Sequence, residues 1–389
     1  METRKLYYED CHLREFEAVV TGCEEMAGGY EVTLDATAFY PEGGGQACDK
    51  GFLDAVRVLE VREQGDLVIH LCDGPLRVGE TVRGRIDWER RFDLMQQHTG
   101  EHIVSGIIHR RWGCNNVGFH MGNEMMEVDF DGPISAEAIE ELEREANAVV
   151  WANVPVRCWI PAPEELPGVT YRSKRQLPWP VRIVQVGETD SCACCGVHTA
   201  FSGEVGLIKI LSCIKFHSGV RMEIVCGARA LDYVSRILEQ NRQVSQVFSA
   251  KPLETGAAAR RINEQLSGEK FRSAGLERKL FAQIAQSCTG QQDVLRFEPG
   301  LSPAAVRELA ECIAGCCSGV AAVFSGEQES YTVCLARPGG DVKALGADMA
   351  KALNGRGGGK AGFFQGSIHA SRKEIEKFFM DNLPNCFLK

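Results

Sequence analysis

Two short runs, far apart in the chain, constrain it most: QQHTGEHIVSG at 96–106 and TDSCACCGVHTAFSGEVG at 189–206. His98 and His102 stand four residues apart, so a helix presents both imidazoles on one face. Cys194 and His198 repeat that spacing. Brought together by folding, these residues form the nitrogen and sulfur donor set that zinc prefers. The site is then either a closed structural one or, with a position left for water, a catalytic one. Cys192 and Cys195 lie beside Cys194, and a buried thiol is the alternative use for each cysteine of the run. Gly100 sits between the two histidines, and Gly196 between Cys194 and His198. A glycine inside a helix costs about 1 kcal/mol relative to alanine. Its presence beside candidate ligands implies that something comes close to the backbone.

A chain of 389 residues outgrows a single core, so two or three domains are expected. The formal net charge of −10 argues against a generally basic nucleic-acid binder. Local clusters remain as candidates for RNA contact, at RGRIDWERR (83–91), HRR (109–111) and YRSKR (171–175). A solvated charged face is the commoner fate of such clusters. No stretch reads as a signal peptide or reaches the roughly 20 apolar residues of a membrane span. The expectation is a soluble, cytoplasmic protein without a membrane partner. In that setting the 17 cysteines read as reduced thiols and a metal site, not as a disulfide framework.

The pattern along the chain is α+β. Residues 1–88 alternate short apolar runs with turn signals and predict a small β-barrel or, alternatively, a sandwich. Within them TAFYPEGGGQACDKG (37–51) holds three consecutive glycines, which either let backbone approach a ligand or form a flexible loop. Asp87 as N-cap, Glu89 in the first turn and Gly113 at the end predict a helix with His98 and His102 in its middle. His120 falls in the turn and strand of 114–130, a helix covers 135–150, and strands carry the second run; together these make a domain over 89–227. Val234, Ile237, Val244 and Phe248 form a heptad-like stripe, KPLETG (251–256) breaks it, and Ile262, Leu266, Leu276, Leu280 and Ile284 mark a second helix. A helical hairpin over 228–290 follows, its stripes most often core packing and otherwise a spacer or homodimer surface. Residues 291–389 predict an α/β domain with a glycine-rich loop, NGRGGGKAGFFQGS (354–367). There Arg356 and Lys360 can grip phosphate while Phe363 and Phe364 stack on a base, the alternative being a flexible surface loop.

Taken in order, TAFYPEGGGQACDKG, HTGEH (98–102), CCGVH (194–198), TAFSGEVGLIKI and GVRMEIVCGARALDY (219–233) resemble the signature segments of the freestanding alanyl-tRNA editing proteins. These are relatives of the editing half of alanyl-tRNA synthetase. The hairpin and GGGKAGFFQGS resemble the synthetase's carboxy-terminal domain. The resemblance implies a zinc-dependent deacylase acting in trans on tRNA(Ala) mischarged with serine or glycine. It implies His98, His102, Cys194 and His198 as metal ligands, and Thr37 as the residue that hydrogen-bonds the serine hydroxyl. Gln46 is then a second polar contact, toward the ester or the terminal ribose, and backbone-directed cations such as Arg356 and Lys360 hold the RNA. One position departs from the pattern: the family carries two glycines after the cysteine of CxxxH, and Cys195 takes the first place here, so Cys195 is an alternative ligand.

The implied task has a physical rationale. A pocket made for alanine discriminates poorly against glycine or serine, because such small differences are worth roughly 10–200-fold. The HxxxH and CxxxH pair also occurs in the editing domain of threonyl-tRNA synthetase, which keeps Ser-tRNA(Thr) open as a substrate. A zinc-stabilised tRNA-binding protein without activity is the non-enzymatic alternative.

Overall fold

The computed structural model describes residues 2–173, 177–383 and the backbone of 386–388. Lys174 and Arg175 of the YRSKR cluster lie outside these residues. The chain divides into two compact units, Met1–Val244 and Ser245–Lys389.

Period-two alternation builds the start of the first unit. It comprises β1 (Arg4–Lys5), β2 (Glu15–Met26), β3 (Gly29–Leu34), β4 (Ala36–Thr37), β5 (Gly51–Leu53), β6 (Val56–Gln64), β7 (Leu67–Cys72) and β8 (Thr81–Ile86). Six of these pair in the order β2-β3-β7-β6-β5-β8 and close into a barrel. In β8 the buried Val82, Gly84 and Ile86 alternate with exposed Thr81, Arg83 and Arg85, as a strand with one face on a core requires. Val20, Val32, Leu34, Leu53, Val61 and Val68 fill the interior.

Asp87 accepts a hydrogen bond from the Arg90 N–H at 3.2 Å and caps α1 (Trp88–Trp112), which Gly113 ends at a φ of 68°. From Leu94 to Ile108 every residue of α1 is buried, so this helix has no solvent face over that length. Its apolar side chains Ile103, Val104, Ile107 and Ile108 share a core with Met126, Val128, Met222 and Ile224, each worth about 1.5–3 kcal/mol on burial. Those partners come from the sheet β14-β15-β10-β9, built from β9 (Asn116–Met121), β10 (Met126–Phe130), β14 (Ile208–Phe216) and β15 (Gly219–Cys226). Between them run α2 (Ala136–Ala152) and a three-stranded sheet of β11 (Val156–Trp159), β12 (Ile183–Val186) and β13 (Asp190–Ala193). The start of α1 is pinned by a buried ion pair. Arg91 Nε donates to Asp49 Oδ1 at 2.9 Å, Nη2 donates to the Ala38 carbonyl at 2.6 Å, and Asp49 accepts the Tyr40 N–H at 2.6 Å. The helix is thereby locked to the glycine-rich 37–51 segment. Losing one partner of such a pair costs about 3–5 kcal/mol.

The unit ends in α3 (Gly227–Val247). The second unit holds α4 (Thr255–Gln286), α5 (Pro303–Ala314), α6 (Lys343–Ala352), α7 (Arg372–Asn382) and a six-stranded sheet. The sheet comprises β16 (Asp293–Phe297), β17 (Ala321–Glu327), β18 (Ser330–Ala336), β19 (Arg356–Lys360), β20 (Phe363–Ile368) and β21 (Cys386–Leu388), in the order β19-β20-β18-β17-β16-β21.

Two expectations change. Residues 354–367 are not a loop but a β-hairpin, with β19 at the sheet edge and all five of its residues exposed. The glycines serve close approach within it: a Cβ on Gly357 would lie 2.6 Å from Phe364 Cζ, and one on Gly359 2.0 Å from the Phe363 carbonyl oxygen. The apolar stripes of α3 and α4 are core only at the end of α4, where Ile284 is buried; Val234 and Phe248 are half-buried, and Ile237, Val244, Ile262, Leu266, Leu276 and Leu280 are exposed. Among the described residues no helix is long and apolar enough to cross a membrane, and every cysteine whose side chain is described is a free thiol.

Candidate metal centre

The buried middle of α1 carries His98 and His102, and the turn after β13 carries Cys194 and His198. One ligand atom from each of the four lies within 4.8 Å of the others. Cys194 Sγ stands 3.4 Å from His98 Nε2 and 3.5 Å from His198 Nε2. The ring centroids of His98 and His198 are 4.4 Å apart, and those of His102 and His198 4.6 Å. Four-residue spacing on a helix supplies one pair; the tight 194–198 turn supplies the other.

Each imidazole is engaged by the protein through its other nitrogen. His98 Nδ1 is 2.9 Å from Gln46 Oε1, His102 Nδ1 is 2.9 Å from Asp190 Oδ2, and His198 Nδ1 is 3.3 Å from Thr99 Oγ1. An amide or carboxylate oxygen only accepts, so Nδ1 of His98 and His102 carries a proton and Nε2 is the nitrogen turned toward the cluster. This is the arrangement that orients metal-bound histidines. Asp190 is itself gripped by Arg172, with Nε donating at 2.7 Å and Nη2 at 2.9 Å, so this member of the YRSKR cluster supports the site instead of facing RNA. The turn is held by its carbonyls: Arg182 donates to Cys194 O at 2.9 Å and Gly196 O at 2.8 Å, and the Tyr8 hydroxyl donates to Cys195 O at 2.7 Å.

The electrostatics favour a thiolate. Burial opposes it, but the charge of His98 and hydrogen bonds from all three imidazoles bring the Cys194 thiol well below its ordinary pKa. Burial likewise opposes a charge on His102, and the hydrogen bonds to Asp190 and Cys194 overcome it, raising that pKa. Burial and the neighbouring His98 lower His198. Three imidazole nitrogens and one thiolate sulfur are the donor types zinc prefers, and the residues present fit that metal.

The glycines have specific neighbours. A Cβ on Gly196 would lie 2.2 Å from His98 Cε1, so the turn passes directly over that ring. At Gly100 the close neighbour is Cys226 Sγ, 2.2 Å from a Cβ, so helix α1 approaches strand β15 there and not a ligand. In the GGG run, a Cβ on Gly44 would meet Cys195 Sγ at 2.9 Å and one on Gly45 would meet Phe119 at 2.7 Å. That segment packs over the Cys194–His198 turn.

Cys195 is exposed and outside the four-residue cluster, near the Tyr40 hydroxyl at 3.9 Å. Cys192 groups with His102 and Asp190 behind the cluster, and His120 is an exposed residue of β9. Gln46 is fully buried: its Oε1 also accepts the Val197 N–H at 3.2 Å, and its Nε2 has no hydrogen-bond partner among the described residues. Thr37 lies fully buried in the barrel, 2.9 Å from His70 Nε2, and accepts the Phe39 N–H at 3.1 Å. His70 Nδ1 donates to the Val32 carbonyl at 3.1 Å, and burial pushes its pKa down to about 4. The neutral ring therefore accepts the Thr37 O–H at Nε2, and one Thr37 lone pair remains. His70, Asp190 and Arg172 were missed from the sequence. Only His70 left a signal there, at an inward position between Val68 and Cys72. Arg356 and Lys360 are exposed ends of β19 in the second unit.

Two family models match the chain: class II tRNA synthetases (A) over residues 3–90, and the threonyl and alanyl tRNA synthetase second additional domain over 181–222. The alanyl-tRNA editing protein Aarsd1-B of Xenopus laevis is 29% identical over 378 residues, covering 94% of this chain and 92% of that protein. Alanine--tRNA ligase of Ignicoccus hospitalis is 31% identical over 92% of this chain and 40% of its own length. The alanyl-tRNA editing protein AlaX-L of Pyrococcus horikoshii is 31% identical over 274 residues, 67% of each chain. With that identity and coverage, and with its His and Cys motifs folded into one buried cluster, this chain belongs to the alanyl-tRNA editing protein family.

Proposed function

We propose that this chain hydrolyses, in trans, the ester joining serine to the 3′ end of tRNA(Ala), with glycine as the second amino acid it removes. His98, His102, Cys194 and His198 are the zinc ligands in this reading. The observation that carries it is their convergence, within 4.8 Å, with each Nδ1 engaged by a protein oxygen. The names of the relatives support the substrate class. Zinc, when bound, supplies Lewis acidity toward the ester carbonyl and acidifies water.

The chain's own residues do the rest. Gln46 holds His98 through Oε1, and its unpartnered Nε2 donates to the ester carbonyl or ribose, since a buried donor left unpaired costs about 1–3 kcal/mol. Thr37 offers its remaining lone pair to the serine hydroxyl, which alanine lacks, while His70 fixes the threonine rotamer. Asp190 and Arg172 hold His102 in one tautomer. The helical segment 228–290 and the domain 291–389, with Arg356 and Lys360, hold the tRNA body.

The test is deacylation of seryl-, glycyl- and alanyl-tRNA(Ala) and of seryl-tRNA(Thr) by wild type and by the His98→Ala, His102→Ala double variant, with zinc quantified in each. The expected result is fast release of serine from tRNA(Ala), sparing of alanine, and joint loss of zinc and activity with native circular dichroism. A wild type that holds zinc and leaves seryl-tRNA(Ala) intact refutes the reading. Unfolding on metal removal identifies a structural site instead.

A further inference from the structure

The basic run 83–91 is largely spent inside the fold. Arg83 pairs with Glu15, Arg90 donates to the Cys48 carbonyl at 3.3 Å, and Arg91 is the buried partner of Asp49. The 109–111 run is likewise neutralised, with Arg110 and Arg111 paired to Glu141 and Glu145 on α2. Arg85 is different. It faces outward from β8, directly across from Phe52 on β5, and Phe52 is in turn directly across from Arg57 on β6. Directly opposed residues on adjacent strands share a face. The barrel exterior therefore carries the row Arg57, Phe52, Arg85.

The two guanidinium carbons stand 5.9 and 5.4 Å from the Phe52 ring centroid, within cation–π range. Lys50 joins them around a pocket of about 360 Å³, at the small end of the roughly 300–1,000 Å³ that ligand pockets span. None of Lys50, Arg57 and Arg85 forms an ion pair among the described residues. Of the carboxylates close by, Glu15 stands directly across from Arg85 and pairs with Arg83, Asp73 accepts the Arg57 N–H at 2.8 Å, and Asp87, at the pocket wall, accepts the Arg90 N–H. Three cations without an ion-pair partner among the described residues gather around one aromatic ring, on a chain of net charge −10.

We propose that this pocket binds a backbone phosphate of the tRNA, with Arg57, Arg85 and Lys50 as donors and Phe52 as the platform that holds the guanidiniums in place. The inference rests on the reading above that tRNA is the substrate. It adds an RNA-binding surface on the amino-terminal barrel that involves neither the metal cluster nor the second unit.

The experiment is binding of uncharged tRNA(Ala) to the full-length chain across a salt series, for wild type, R57Q/R85Q and R57K/R85K. Zinc content and circular dichroism establish that each variant is folded. The slope of log affinity against log salt should fall by about 0.7–0.9 in R57Q/R85Q, the contribution of the one phosphate charge no longer neutralised. R57K/R85K should keep the wild-type slope, because the charges remain. An unchanged slope in R57Q/R85Q overturns this site while leaving the editing reading intact. A wild type that does not bind tRNA overturns both.

Discussion

Replacing Gly196 by alanine tests the metal centre with the smallest possible change. Its backbone lies outside the left-handed region, so alanine adopts it without strain, and the cost is confined to the added carbon. That Cβ would stand 2.2 Å from His98 Cε1, 2.4 Å from Nδ1 and 3.1 Å from Gln46 Oε1, where ordinary contact begins at 3.4 Å. The imidazole has to retreat by about 1.2 Å, roughly six times the 0.2 Å tolerance of a metal–ligand distance. Overpacking of this kind costs about 1–3 kcal/mol. Losing the bond from Nδ1 to Gln46 adds about 0.5–1.5 kcal/mol. Disturbing an outer-shell partner alone weakens metal binding about 10–100-fold, and here the ligand itself moves. G196A should therefore lose at least about 100-fold in zinc affinity, measured by competition with a chelator, and lose deacylation in proportion while circular dichroism stays native. Full zinc affinity with activity within threefold of wild type would show that His98 is not a ligand held by this turn.

The cysteines should separate cleanly: C195A keeps its zinc, because that thiol is exposed and outside the cluster, whereas C194A loses it, as metal analysis after dialysis will show. Gly100→Ala drives a Cβ to 2.2 Å from Cys226 Sγ and should destabilise the chain by about 1–3 kcal/mol. The second change C226A should recover most of that loss, and additive effects in urea unfolding would show that the two do not touch. His70 adds an acid sensitivity. Its folded pKa, lowered to about 4, means that the unfolded chain binds the proton first as pH falls. Stability is complete above about pH 6.5 and is lost toward pH 4, by up to about 3 kcal/mol at 1.36 kcal/mol per unit. H70Q should flatten the pH dependence of the unfolding free energy across that window, and an identical slope in both proteins would refute a neutral buried His70.

Much of this molecule is legible before folding, because local rules decide it. Asp87 and Gly113 bound α1 through capping chemistry that involves only neighbouring residues. Alternation along β8 marks its buried face, and the four-residue spacings of His98/His102 and Cys194/His198 carry the geometry of each pair in the cluster. The supporting residues obey no such rule. Asp190 and Arg172 reach His102 only once β13 lies against α1. Gln46 reaches His98 across 52 positions of sequence because the Arg91–Asp49 pair locks its loop to the helix. A glycine in sequence announces that something comes close but not what. At Gly100 it is the Cys226 thiol, at Gly196 the His98 ring, and at Gly357 and Gly359 the neighbouring strand of a hairpin that composition alone reads as a loop. Charge behaves the same way: of the basic run 83–91, Arg85 has no ion-pair partner among the described residues, and strand register sets it between Phe52 and Glu15. Periodicity and capping act over a few residues and can be read from their order. Register, close approach and the pairing of buried charge depend on which distant segments the core brings together, and only the tertiary structure decides that.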